Sequence, residues 1–194
     1  MADKPARYPR LLPWLALGGA MLVFGALFGW YIDVRTNLDD FFFAENGPIE
    51  GLQSAVILAP IFVFAARTWR GRGPAALICA VLAFIMLHVL MRETPRCDSS
   101  FYPGGVCLYD PTKYALSAVF SVVLLVVLVR RRNDVIDALK PRWSFLFWPL
   151  GVAFVLLVAA EVMERRHMEG VEETLEMMSY LYTAACSVWI YRNT

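Results

Sequence analysis

The sequence predicts an all-α, polytopic membrane fold, a bundle of six transmembrane helices with both termini in the cytoplasm. Three observations point to it. Hydrophobic residues make up 59% of the 194 positions, and the mean hydropathy of +0.54 is higher than a soluble domain of this length carries. Apolar runs long enough to cross a hydrocarbon core of about 30 Å, which takes roughly 20 helical residues, recur at about 11–31, 49–66, 74–91, 114–129, 143–160 and 174–191. The charges also alternate by connector. Asp33, Asp39, Asp40, Glu45, Asp98, Asp110 and a glutamate cluster follow the first, third and fifth runs. Lys4, Arg7, Arg10, Arg67, Arg70, Arg72, Arg130, Arg131, Arg132, Lys140, Arg142 and Arg192 occupy the other side. Under the positive-inside rule every basic cluster then lies in the cytoplasm. Residues 1–194 form a single transmembrane domain, with no internal repeat and no low-complexity tract. The net charge of +1 leaves no basic face for a nucleic acid.

The first helix follows Lys4, Arg7 and Arg10, as a signal peptide would, but its apolar run is too long for such a segment and reads as an uncleaved span. Trp14, Trp30 and Tyr31 suit the two headgroup levels, and no polar residue interrupts the interior, so it is a packing and anchoring element. Phe41, Phe42 and Phe43 in the next connector dip into the interface or form a lip over a substrate. Asn46, Gly47 and Pro48 start the second helix, proline suiting a first turn whose N–H has no partner. Glu50 either complements the positive end of that helix dipole or, with Gln53 and Ser54 three and four positions on, belongs to a polar patch facing the bundle.

The third helix ends in HVLMRETPRCD, where His88 and Arg92 share a face and Glu93 and Asp98 follow. Cys97 and Cys107 share one turn-rich connector on the acidic, outer side, where an oxidising compartment favours a disulfide. Closing about ten residues stabilises the loop by roughly 2–3 kcal/mol. Cys79 and Cys186 fall inside helices and pack as small hydrophobes. In the fourth helix Tyr114, Ser117 and Ser121 form one stripe, a spacing that usually marks close helix packing. The basic connector RRRNDVIDALKPR sets the orientation and can also lie against anionic lipid. Pro149 and Gly151 permit a kink in the fifth helix. The sixth carries Glu172, Glu176, Ser179, Thr183 and Ser187 at spacings of three and four, a stripe that must face protein or water. Glu176 is expected to point into the bundle and to meet Glu50, Arg92 or His88 from another helix.

The stretch EVMERRHMEGVEETLE, residues 161–176, sits between the last two apolar runs, and charge this near to lipid is costly. Assembling the six helices brings Glu50, His88, Glu93, Glu161, Glu164, His167, Glu173 and Glu176 to one depth on the extracytoplasmic side. So many like charges need neutralising by protons, by Arg92, Arg96, Arg165 and Arg166, or by a divalent metal. Glu164 and His167 are spaced E-x-x-H, a pair that grips an ion in carboxylate-bridged bundles. The eight residues are therefore the expected ligand set of a divalent metal. Haem held by His88 and His167 would need both imidazoles to face one cavity. No phosphate loop, G-x-S-x-G elbow or paired H-E-x-x-H occurs, and no second redox cysteine pair lies near the surface.

The combination of E-N-G-P-I-E at 45–50, R-E then C-D at 92–98 and E-E-T-L-E at 172–176 resembles a family of small bacterial multi-pass inner-membrane proteins. The resemblance covers these boundary segments and implies an acidic polar site at the helix ends, with no established activity. A lesser likeness, to membrane hydrolases of the ceramidase type, rests on polar residues at helix ends and lacks their histidine-rich pattern. The expected function is that of an inner-membrane protein whose extracytoplasmic carboxylate and histidine cluster binds a divalent metal. If it is an enzyme, the expected reaction is metal-assisted hydrolysis or transfer on a lipid or lipid-linked substrate, an ion activating water and one glutamate acting as base. The competing expectation is a non-catalytic accessory or assembly subunit, with a membrane-protein partner, whose carboxylates pair with Arg92, Arg165 and Arg166. A small transporter ranks third, since no helix is broken near mid-membrane.

Overall fold

The computed structural model describes residues 8–35, 48–97 and 107–194. The phenylalanine triplet, the Asn46–Gly47 start signal and the centre of the Cys97–Cys107 connector lie outside the described residues. Those residues form eight helices and no strand: α1 (Leu11–Arg35), α2 (Pro48–Arg70), α3 (Pro74–Glu93), α4 (Asp110–Arg130), α5 (Arg132–Ala138), α6 (Pro141–Phe147), α7 (Pro149–Glu164) and α8 (Glu169–Asn193). Prolines open α3, α6 and α7 and lie in the first turn of α4, where the missing N–H deprives no carbonyl of a partner.

Helices α1 to α4 are each long and apolar enough to cross a membrane. The expected fifth span is not one helix. It is broken before Pro149 into α6 and α7, which meet at 60° and count as a span only if the bent pair is taken together. Proline at 149 removes one ladder hydrogen bond and its ring crowds the carbonyl four residues back. The basic connector also folds into a helix of its own, α5. Beside it, Asp137 is held below the usual carboxylate range by its hydrogen bond to Lys140 and that ammonium's charge.

Helix α8, which its acids and hydroxyls keep out of the apolar set, is the centre of the assembly. It packs against α1, α7 and α2, while α3 lies against α2. Burial on α8 runs from Gly170 to Ile190. Helix α1 docks on it through Gly18, Gly25, Gly29 and Ile32. Gly25 and Gly29 form the small-xxx-small spacing that lets two backbones approach. A Cβ at Gly29 would lie 2.5 Å from Thr174 Oγ1 and from Val171 Cα, and nearer still to the Gly170 carbonyl. Thr174 donates to the Gly25 carbonyl at 2.8 Å, and Asp33 Oδ1 accepts from the Gly170 amide at 2.9 Å. A carboxylate of α1 thus caps the first turn of α8, where an orphan N–H and the dipole both favour it.

The connector after α3 is closed as expected. Cys97 and Cys107 are disulfide-bonded with their Cα atoms 5.0 Å apart, and Arg96 pairs with Leu108 in an isolated bridge beside them. Cys79 and Cys186 are free and buried.

Candidate functional site

The last turn of α3 and the first two turns of α8 meet at one end of the bundle. Arg92 Nη2 donates to Glu176 Oε1 at 2.9 Å, and Arg92 Nε lies 3.7 Å from Glu93 Oε1. The Tyr180 hydroxyl, one turn beyond Glu176, donates to Glu93 Oε1 at 3.0 Å. From α2, Gln53 Nε2 donates to Glu173 Oε2 at 2.8 Å and to the Glu173 carbonyl at 3.1 Å. Glu173, Glu176 and Tyr180 follow at spacings of three and four, so they share one face of α8. Glu176, Glu93, Tyr180 and Gln53 are all buried, Gln53 completely. Gln53 Oε1 has no hydrogen-bond partner, an orphan acceptor inside an acidic cluster.

Of the eight residues expected at one depth, five lie within electrostatic reach of one another. Glu93, Glu173 and Glu176 feel one another's charge, Glu50 acts on Glu93 and Glu173, and Glu164 acts on Glu176 and on Glu172. Two like charges 4 Å apart repel by about 4 kcal/mol at an effective dielectric near 20, so an acid group of this size needs a counter-charge or protons. Arg92 supplies charge to Glu93 and Glu176. The partner expected for Glu176 from the third helix is therefore found.

The other three stand apart. His88 turns toward α4: its Nδ1 donates to the Phe84 carbonyl at 3.0 Å, and its Nε2 meets Ser117 Oγ at 2.7 Å. A carbonyl only accepts, so in the neutral ring Nε2 accepts from the serine hydroxyl. Both nitrogens are engaged away from the acids. Glu161 is half exposed and pairs with Arg165 at 3.1 Å. His167 is not on a helix shared with Glu164, because α7 ends there. The Met168 amide bonds back to the Met163 carbonyl at 3.2 Å and the His167 amide to the Glu164 carbonyl at 2.9 Å, with His167 at φ 57°. That is a Schellman cap with histidine where glycine is usual. The E-x-x-H spacing therefore does not place its two side chains on one helical face.

Among the described residues no group of three or more His, Cys, Asp or Glu side chains is arranged to hold a metal ion. Of the arginines expected to neutralise the cluster, Arg96 lies 3.7 Å from Asp110 and Arg165 serves Glu161. Tyr180 was not expected; its position four residues after Glu176 and seven after Glu173 is the signal that would have found it. Asp33 had no such signal, since nothing in the sequence pairs the end of α1 with the start of α8.

No family model, curated protein or solved structure matches the chain. The described residues form an all-α protein with several helices long and apolar enough to cross a membrane and, at one end, a cluster of buried glutamates and a buried tyrosine beside a largely exposed arginine.

Proposed function

We propose that the chain is a six-span protein of a bacterial inner membrane, both termini cytoplasmic, that serves as a non-catalytic accessory or assembly subunit of a larger membrane complex. In this reading α8 and the bent α6–α7 pair complete the six spans, and the extracytoplasmic acids form a clasp between helix ends. The supporting observation is the 2.9 Å Arg92–Glu176 pair: the most buried acid of the cluster is neutralised by arginine from another helix, as a structural role requires. Blue-native electrophoresis of gently solubilised native membranes tests it. The chain should migrate in an assembly well above the position of the same chain purified alone; comigration of the two would refute the subunit reading.

A second reading is favoured by Gln53 Oε1. That orphaned amide oxygen, on the side chain that holds Glu173, is a hard oxygen donor of the kind divalent cations take, although the described carboxylates are not arranged as a ligand group. An ion bound there would support hydrolysis or transfer on a lipid-linked substrate. Metal analysis of the purified protein separates the two. Stoichiometric metal lost in Glu173→Gln and kept in His167→Gly favours the cation; no metal in any preparation favours the clasp.

A further inference from the structure

We propose that the groove between α3 and α4 is a binding site for one anionic phospholipid, its phosphate held at the Arg92, Arg96 and Lys113 end and an acyl chain lying along the two helices. The site borders the acidic cluster and shares Arg92 with it, whose guanidinium is engaged by Glu176 and Glu93; its test, made at Arg96 and the apolar wall, does not depend on the reading given above.

The two helices are tied at one end by the His88–Ser117 hydrogen bond and by Lys113, whose ammonium donates to the Thr94 carbonyl. At that end lies a cavity of ≈ 300 Å³ whose described lining includes Arg92, Arg96, Lys113 and Asp110 beside the hydroxyls of Tyr114 and Ser117. Farther along lies a second cavity, of ≈ 460 Å³, walled by Ala80, Ala83, Phe84 and Leu87 of α3 and by Phe120 and Leu124 of α4, with Ala65, Thr68 and Trp69 of α2 and Arg131 at its far end. The residues of the two cavities succeed one another at spacings of three and four on each helix, so the cavities lie in line on the same helix faces, a cationic end followed past the His88–Ser117 bond by an apolar stretch. Alanines at 80 and 83 leave the room. No residue of α4 is fully buried.

The dimensions suit a lipid. Arg92 to Ala80 is about 18 Å of helix at 1.5 Å per residue, and one leaflet of hydrocarbon is about 15 Å deep. The charge selects the headgroup. The Arg96 side chain is 65% exposed and its Nε is 3.7 Å from Asp110 Oδ1, too long for a hydrogen bond. Its guanidinium can therefore present two parallel N–H groups to a phosphate. A zwitterionic head would add a fourth cation beside Arg92, Arg96 and Lys113.

The test uses the full chain in a neutral detergent, read by native mass spectrometry and by thermal unfolding. Phosphatidylglycerol should stay bound and raise the melting temperature, whereas phosphatidylcholine of the same chain length and inorganic phosphate should do neither at matched concentration. Arg96→Gln should weaken phosphatidylglycerol binding about tenfold, the worth of one charged hydrogen bond. Ala80→Leu, which fills the floor without changing charge, should weaken it as well. Val123→Trp, from the opposite wall, replaces Ala80→Leu if that variant does not fold. Equal binding of phosphatidylcholine, unchanged affinity in Arg96→Gln, unchanged affinity in a folded groove-filling variant, or a full effect from phosphate alone would each overturn the proposal.

Discussion

Helix α8 carries four glutamates and a run of hydroxyl residues and has a buried face from Gly170 to Ile190, whereas α4, almost wholly valine and leucine after its first turns, has no fully buried residue. In a soluble protein the assignments would be reversed. The difference comes from the solvent. Valine is as comfortable against lipid as against protein, so apolar surface gives α4 no reason to seek the core. A glutamate or a serine in hydrocarbon is costly, and it is relieved only where other helices supply donors. Polarity therefore drives α8 to the centre, and its partners are polar atoms of its neighbours: Arg92 for Glu176, the Ala153 carbonyl for Ser179 at 2.9 Å, the Gly25 carbonyl for Thr174.

If that account holds, changes on the faces that meet α8 should outweigh changes on α4 by a wide margin. The largest effect is expected from Gly29→Leu, which drives a side chain into the α8 backbone. It should lower stability by about 3 kcal/mol or abolish the fold, read by denaturant titration in mixed micelles. A folded Gly29→Leu of unchanged stability would break the docking of α1 on α8.

Next comes Arg92→Leu, which strands Glu176. Breaking a fully buried pair costs roughly 3–5 kcal/mol, but the Arg92 side chain is 61% exposed, and solvent screening cuts the expected loss to about 2 kcal/mol. The double variant Arg92→Leu/Glu176→Leu should recover much of it, because the stranded carboxylate is gone. Failure of the second change to rescue the first would show that the pair does not act as a unit.

The smallest effects sharpen the contrast. Ser179→Ala removes one interhelical hydrogen bond, for which about 0.6 kcal/mol is the usual membrane value. Val122→Ala on α4, 61% exposed, should stay within about 0.5 kcal/mol of zero. A larger loss in Val122→Ala than in Ser179→Ala would mean that α4 is held by packing absent from this structure.

Much of the architecture was legible in the residues. Apolar length located the first four spans, because hydrocarbon thickness sets a length that composition alone satisfies. The stripe on the sixth run announced a buried helix with a polar partner, since a carboxylate at that position has few alternatives. The cysteine pair in one short connector announced its bond. Other features were decided by tertiary contact. Glu164 and His167 keep their spacing in sequence but lose their common face because α7 ends in a Schellman cap with no glycine to announce it. His88 could have faced the acids or α4, and only the position of Ser117 settled it. Asp33 caps α8 from the far end of α1, and Gln53 reaches Glu173 across 120 residues of chain. Patterns within a segment report which face must be buried. Which neighbour buries it depends on how whole helices are arranged, and that arrangement is fixed by contacts between residues far apart in sequence.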